Sequence, residues 1–326
     1  MSARVLLVTG PGGAGSSTTA ARLADHLAGE GRAVTVLDAD PYDGAAARCR
    51  RSSVLTAAAH RTTKDDEAAR RLVETLGDSA DLIDPLRHTS TASCLRLLWS
   101  IPVEVGPEHT VVIDAGTHGP ELARLARTLP GTLLRLSRVG TGWLRTARPL
   151  LAAVGGRRPG PALLTHLQDG VQRARVIRNA VCGGSGGALL VASDPGKTAR
   201  LAVGVGLSGV HVRGVIGWDD AKSDLLPGVQ RLAADQAING ADWEPELPLR
   251  ISADPETEGY RLRMPLPLSD FRDLKLRWSE HSLMLSACGH QSLLELPSAL
   301  QRCHPSGARL RDGMLDVAFR PTRAGA

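Results

Sequence analysis

Lysine is nearly missing from this chain: four of its 39 basic residues are lysines, and the rest are arginine. The arginines are spread along the sequence and form no basic block, so the net charge of +5 and pI near 9.2 do not predict a nucleic-acid surface. Aromatic residues make up 3%, with two Phe and two Tyr, so a core has to be built from Leu, Val and Ala. The five cysteines, Cys49, Cys94, Cys182, Cys288 and Cys303, are scattered, with no CxxC pair and no Cys/His ligand spacing. That pattern predicts neither a disulfide framework nor a structural zinc site, and it suits a reducing cytosol. No apolar run approaches the ~20 residues of a membrane span. The first such run is short and leads straight into a glycine-rich turn, so no leader peptide is expected and the location predicted is cytoplasmic.

What is present is an alternation. Short, nearly continuous apolar runs at Arg4–Thr9, Ala33–Asp38, Thr110–Ile113, Ala188–Ala192 and Val210–Ile216 read as strands buried on both faces. Helical stretches separate them, at Ser17–Ala28, Asp66–Leu76, Cys94–Ser100, Glu121–Leu129 and Gly142–Val154. This predicts an α/β fold: a mostly parallel sheet with helices on both faces. After the polar segment 252–258 the pattern changes to short alternating runs. In the first of these, Tyr260, Leu262 and Met264 alternate with Arg261 and Arg263. Turn signals such as Cys288-Gly289 and Asp312-Gly313 divide the runs. The division expected is therefore residues 1–251, a linker at 252–258, and a small antiparallel β-sandwich over 259–326.

Three segments carry candidate chemistry. Gly10-Pro11-Gly12-Gly13-Ala14-Gly15-Ser16-Ser17-Thr18 follows the first strand and opens a helix, the setting in which backbone N–H groups cradle a phosphate. Leu37-Asp38-Ala39-Asp40-Pro41 ends the second strand, and Val111-Val112-Ile113-Asp114-Ala115-Gly116-Thr117-His118-Gly119 ends the third. Carboxylates at strand C-terminal ends face the crevice where open α/β sheets bind ligands. Asp114, with the Ser17 hydroxyl, is placed to hold Mg²⁺, and Asp40 to orient or deprotonate a water. The plainer alternatives are a glycine turn that binds nothing and carboxylates that cap the turns after them.

Together the three segments resemble the ArsA family of deviant P-loop ATPases, which includes the arsenite-pump ATPase and the guided-entry factor for tail-anchored proteins. The family's GKGGVGKTT loop, (D/T)DPAH first switch and DTAPTGH second switch align with them without gaps. Val191-Ala-Ser-Asp-Pro195 is similar to the family's stretch before its base-binding strand. The C-terminal segment, above all Ala308-Arg-Leu-Arg-Asp-Gly-Met-Leu-Asp-Val317, looks like the α-crystallin-type sandwich of some ArsA-like proteins. The resemblance implies a P-loop NTPase fold, ATP and Mg²⁺ as ligands, and a homodimer. Gly10, Gly12, Gly13, Ala14, Gly15, Ser16, Ser17 and Thr18 would then contact the nucleotide phosphates.

The departures fall on working positions. Pro11 replaces the family's signature lysine and Ser16 its P-loop lysine. Gly217-Trp218 stands where an Asn would hold adenine, and Pro120 replaces the second-switch His. The reading is a degenerate ATPase site in an interaction or regulatory protein. The alternative is an active ArsA-type Mg-ATPase that couples ATP hydrolysis to ion or protein transport or targeting; Arg48, Arg50 and Arg51, just after the first switch, are the candidates to replace the missing lysines.

Overall fold

The computed structural model describes residues 3–39, 44–51, 54–56, 90–102, 105–106, 108–134, 161–183, 186–217, 226–234, 236, 249–254, 259–268, 270–279 and 282–321. Seven strands form the first sheet: β1 (Arg4–Thr9), β2 (Ala33–Asp38), β3 (Val54–Thr56), β4 (His109–Gly116), β5 (Gly187–Val191), β6 (Val212–Ile216) and β7 (Arg231–Leu232). Their order is β3-β2-β4-β1-β5-β6-β7, and every pairing is parallel. Strand β4 is thus inserted between β1 and β2, and their C-terminal ends lie side by side.

Because side chains alternate along a strand, each apolar run feeds two cores. Leu6 and Val8 of β1 join Val34, Val36 and Val112 beneath helix α1 (Ser16–Gly29) and the short α2 (Ala45–Arg48). Val5 and Leu7 face the other way, with Leu37, Val111 and Ile113. That second face is covered by α3 (Ser90–Trp99), α4 (a helix over 119–134), α5 (Pro161–Cys182) and α6 (Pro195–Leu207). Helix α6 begins at a strong start signal. Asp194 Oδ1 accepts the Lys197 N–H at 2.8 Å, and Pro195 follows at the first helical position, where its missing N–H costs nothing.

The C-terminal module is antiparallel. Strands β8 (Arg250–Ala253), β9 (Tyr260–Pro265), β13 (Cys303–Arg311) and β14 (Met314–Pro321) form one sheet in the order β13-β14-β9-β8. Strands β10 (Lys275–Ser279), β11 (Ser282–Ala287) and β12 (His290–Glu295) form the other. Leu262, Met264, Leu283, Leu285, Leu294, Leu315, Val317 and Phe319 fill the space between the sheets. On the outer face Asp316 takes Arg263 at 3.0 Å and Arg261 at 3.6 Å, while the buried Asp254 takes Arg261 at 3.2 Å.

The module does not hang from a tether. Val203 and Leu207 of α6 belong to the sandwich core. Two glycines inside that helix make the close approach feasible. A methyl group on Gly204 would stand 2.8 Å from Pro120 Cβ and 2.9 Å from the His290 ring. On Gly206 it would stand 2.8 Å from Pro267 Cδ.

The expected α/β architecture and antiparallel sandwich are both present. Strand ends move by a few residues: Val210 and His211 precede β6, and β4 runs on through Gly116. The patterning did not predict β3, β7 or β8, which are short or lie at sheet edges. Strand β8 joins the module's sheet ahead of the pattern change at Tyr260. The helices expected at Asp66–Leu76 and Gly142–Val154 lie outside the described residues.

Candidate functional site

The glycine loop leaves β1 at Thr9 and is pinned on two sides. The Gly10 N–H donates to the Gly116 carbonyl at 3.0 Å, and the Thr9 hydroxyl donates to the same oxygen at 2.7 Å. A Cβ on Gly10 would lie 2.5 Å from the Val191 carbonyl oxygen of β5, so only glycine passes there. The turn closes with the Ala14 N–H on the Pro11 carbonyl at 3.0 Å. Gly15, at φ +90°, then launches α1 at Ser16, and no side chain caps that helix.

The loop is open where an anion would sit. Added Cβ atoms on Gly13 and Gly15 meet nothing within 4 Å, and one on Gly12 meets only Thr117 Cγ2 at 4.0 Å. The first N–H groups of a helix have no intrahelical partner, and the N-terminus carries partial positive charge. Gly12, Gly13, Gly15 and Thr18 are exposed, while Ala14, Ser16 and Ser17 are half-buried. Gly10 itself is buried, so the predicted phosphate contacts from Gly12 to Thr18 are the ones that face or partly face solvent.

Asp114 sits at the floor. It is 2% exposed and pairs in register with Val8 of β1 and Asp38 of β2. Its Oδ1 accepts the Gly116 N–H at 3.2 Å, whereas its Oδ2 is buried with no hydrogen-bond partner among the described residues. A buried carboxylate oxygen without a donor is unfavourable unless something else meets it. A cation or its water would do so, and in this respect the residues present fit Mg²⁺.

The other predicted residues divide. Asp40, the candidate for orienting water, lies outside the described residues, as does Trp218. Asp38 has a structural task that the motif reading missed. Its carboxylate accepts the Ala45 and Ala46 N–H groups at 2.8 and 2.9 Å, capping α2 across the first switch. That cap aims α2 so that Arg48 Nη1 donates to Thr18 Oγ1 at 2.9 Å, which brings a guanidinium to the first turn of α1. The Arg50 and Arg51 backbone N–H groups bind Asp25 at 2.9–3.0 Å. The Arg51 guanidinium packs against Gly29, near the other end of α1 and ~20 Å from the loop at helical rise. Of the three arginines considered as replacements, Arg48 is the one whose side chain is seen to reach the first turn of the loop helix.

The thiols are not poised as nucleophiles. Burial pushes Cys182 up to about 11, against the opposing pull of Arg127 and Arg178. Burial, then Asp25 and Asp38, push Cys49 up to about 11. A thiol that stays protonated near neutral pH is a poor nucleophile. Among the described residues no helix is long and apolar enough to cross a membrane.

Two comparisons with known proteins each cover a limited part of the chain. A 62-residue stretch, 19% of the chain, is 44% identical to Protein Rv2184c of Mycobacterium tuberculosis, and the match spans 15% of that protein's length. Residues 257–319 match the family model of the HSP20-like domain found in ArsA. These residues include β9 to β13 and most of β14, so this part of the sandwich is similar to the HSP20-like domain found in ArsA.

Proposed function

We propose that this is an ArsA-related protein whose glycine loop binds the phosphates of ATP with Mg²⁺ but hydrolyses it poorly, and which acts as a homodimeric interaction or regulatory protein. The observation that carries this reading is the open, uncapped loop together with Asp114 Oδ2, which is buried and has no hydrogen-bond partner among the described residues. Backbone N–H groups of the loop and the first turn of α1 would hold the phosphates. Ser17 and Asp114 would hold Mg²⁺, whose chemistry is to screen phosphate charge.

Magnitudes separate binding from turnover. One charge-assisted hydrogen bond is worth about 1.5–3 kcal/mol, so losing the loop lysine weakens binding by about 10- to 150-fold. Millimolar ATP tolerates that loss. Phosphoryl transfer does not tolerate it equally well, because charge developing in the transition state needs fixed cations. Each one removed costs on the order of 10²–10⁵ in rate. Two lysine positions per site, Pro11 and Ser16, carry none.

The test is calorimetric titration of the full chain with Mg-ATP and Mg-ADP, alongside Gly15→Val and Asp114→Asn. Heat with the parent chain, lost in Gly15→Val and made Mg²⁺-independent in Asp114→Asn, is the expected result. No heat with either nucleotide leaves only a scaffold. One observation favours a second reading, an active Mg-ATPase: Arg48 reaches Thr18 and supplies a cation near the loop. Steady-state phosphate release lost in both Arg48→Ala and Asp40→Asn would establish it.

A further inference from the structure

The tertiary fold gathers three metal-ligating side chains that no spacing along the chain announces. Cys94 lies on α3, His118 immediately precedes α4, and Glu121 is in the first turn of α4. Their ligand atoms all lie within 4.8 Å of one another. Cys94 is 1% exposed, while His118 and Glu121 are half-buried. From this geometry we infer a binding site for one Zn²⁺-type divalent cation, held by Cys94 Sγ, a His118 ring nitrogen and a Glu121 carboxylate oxygen.

The donor set and its setting fit that ion. Thiolate, imidazole and carboxylate together are characteristic zinc ligands. With bonds of about 2.0–2.3 Å, tetrahedral ligand atoms stand roughly 3.3–3.8 Å apart, so the observed cluster has to close by only about 1 Å. Thiolate and carboxylate also balance a double positive charge. As the sulfur–metal bond forms, the thiol passes its proton to solvent. The scaffold is firm on both sides. Cys94 is packed in the core with Leu97, Leu98 and Leu122, and the His118 N–H donates to the Ala115 carbonyl at 2.7 Å. The His118 carbonyl in turn accepts the Leu122 N–H at 2.9 Å.

Two of the three ligands border a cavity. His118 and Glu121 line a space of about 500 Å³ between α4, α6 and the C-terminal module, whose His290 and Gln291 form part of the opposite wall. Three protein ligands with one position open to water or a small donor is the arrangement of an accessible site rather than a sealed one. Its location gives it a purpose. His118 is two residues from Gly116, whose carbonyl holds the glycine loop. A bound ion would therefore fix the segment that joins Asp114, the loop and the module.

Co²⁺ added to the metal-free full-length chain tests the assignment, since its spectrum reports ligand type. The expected result is one Co²⁺ per chain, four-coordinate visible bands, a thiolate-to-cobalt charge-transfer band, and displacement by Zn²⁺. Cys94→Ala should abolish the charge-transfer band. His118→Ala and Glu121→Gln should each weaken binding by at least about tenfold, the size of loss that even outer-shell changes cause. Absence of the band in the parent chain, or its survival in Cys94→Ala, overturns the site. If circular dichroism shows that Cys94→Ala does not fold, unchanged Co²⁺ affinity in both other variants overturns it equally.

Discussion

Two alanine substitutions on one helix should move stability in opposite directions. In a free helix, Gly→Ala is favourable by about 1 kcal/mol. Gly196, in the first turn of α6, follows that rule: its added Cβ meets only Asp194 Oδ1, at an ordinary 3.5 Å. Gly196→Ala should therefore stabilise by about 0.4–1 kcal/mol. Gly206 lies under the module, where the new methyl group would stand 2.8 Å from Pro267 Cδ and 3.4 Å from the Pro265 carbonyl oxygen. A proline ring cannot rotate away, so α6 and the sandwich have to part. Overpacking of this kind costs about 1–3 kcal/mol, which outweighs the propensity gain and leaves a net loss of up to about 2 kcal/mol. For a chain of this size that corresponds to a melting shift of roughly 2–4 °C per kcal/mol. Urea or thermal unfolding of the two variants beside the parent decides the matter. If Gly206→Ala stabilises as much as Gly196→Ala, the docking of the module on α6 described above is wrong.

Asp38→Ala removes both acceptors of the α2 cap and should destabilise by about 1–2 kcal/mol in urea unfolding, whereas Asp38→Asn should recover part of the loss. Acidification should destabilise the chain through His109 and His290, whose pKa values burial lowers below 6.5. Their stabilising contribution is complete above the unfolded value of 6.5 and is lost as pH falls from there toward the folded values. Unfolding midpoints at pH 7.5, 6 and 5 should therefore decline, and less steeply in His109→Gln. Alkylation of the native chain followed by peptide mass mapping should label the exposed Cys288 first and the buried Cys94, Cys182 and Cys303 last. Early labelling of Cys182 would contradict its burial beneath Arg127 and Arg178.

The parallel sheet was readable because strands buried on both faces have to be apolar almost throughout, as Val5 to Val8 and Val111 to Ile113 are. The sandwich was readable because Leu262 and Met264 alternate with arginines that end up paired to Asp316. The strands Val54–Thr56 and Arg231–Leu232 left no trace, since two or three residues cannot display a period. Arg250–Ala253 was hidden because as an edge strand it buries little. The glycine loop could be anticipated from local chemistry alone: its glycines, a strand before it and a helix after it. The Arg48–Thr18 contact could not, because it depends on where Asp38 sends α2. Nor could Cys94 be matched with His118, since only the packing of α3 against α4 brings them within reach.

Val203 and Leu207 contribute to the sandwich interior although they lie on a helix that precedes β8 by more than forty residues. The HSP20-like segment is therefore not a detachable cassette. A fragment ending before residue 250 would present that side of α6 to solvent as a bare greasy seam, and expressing it alone invites clumping.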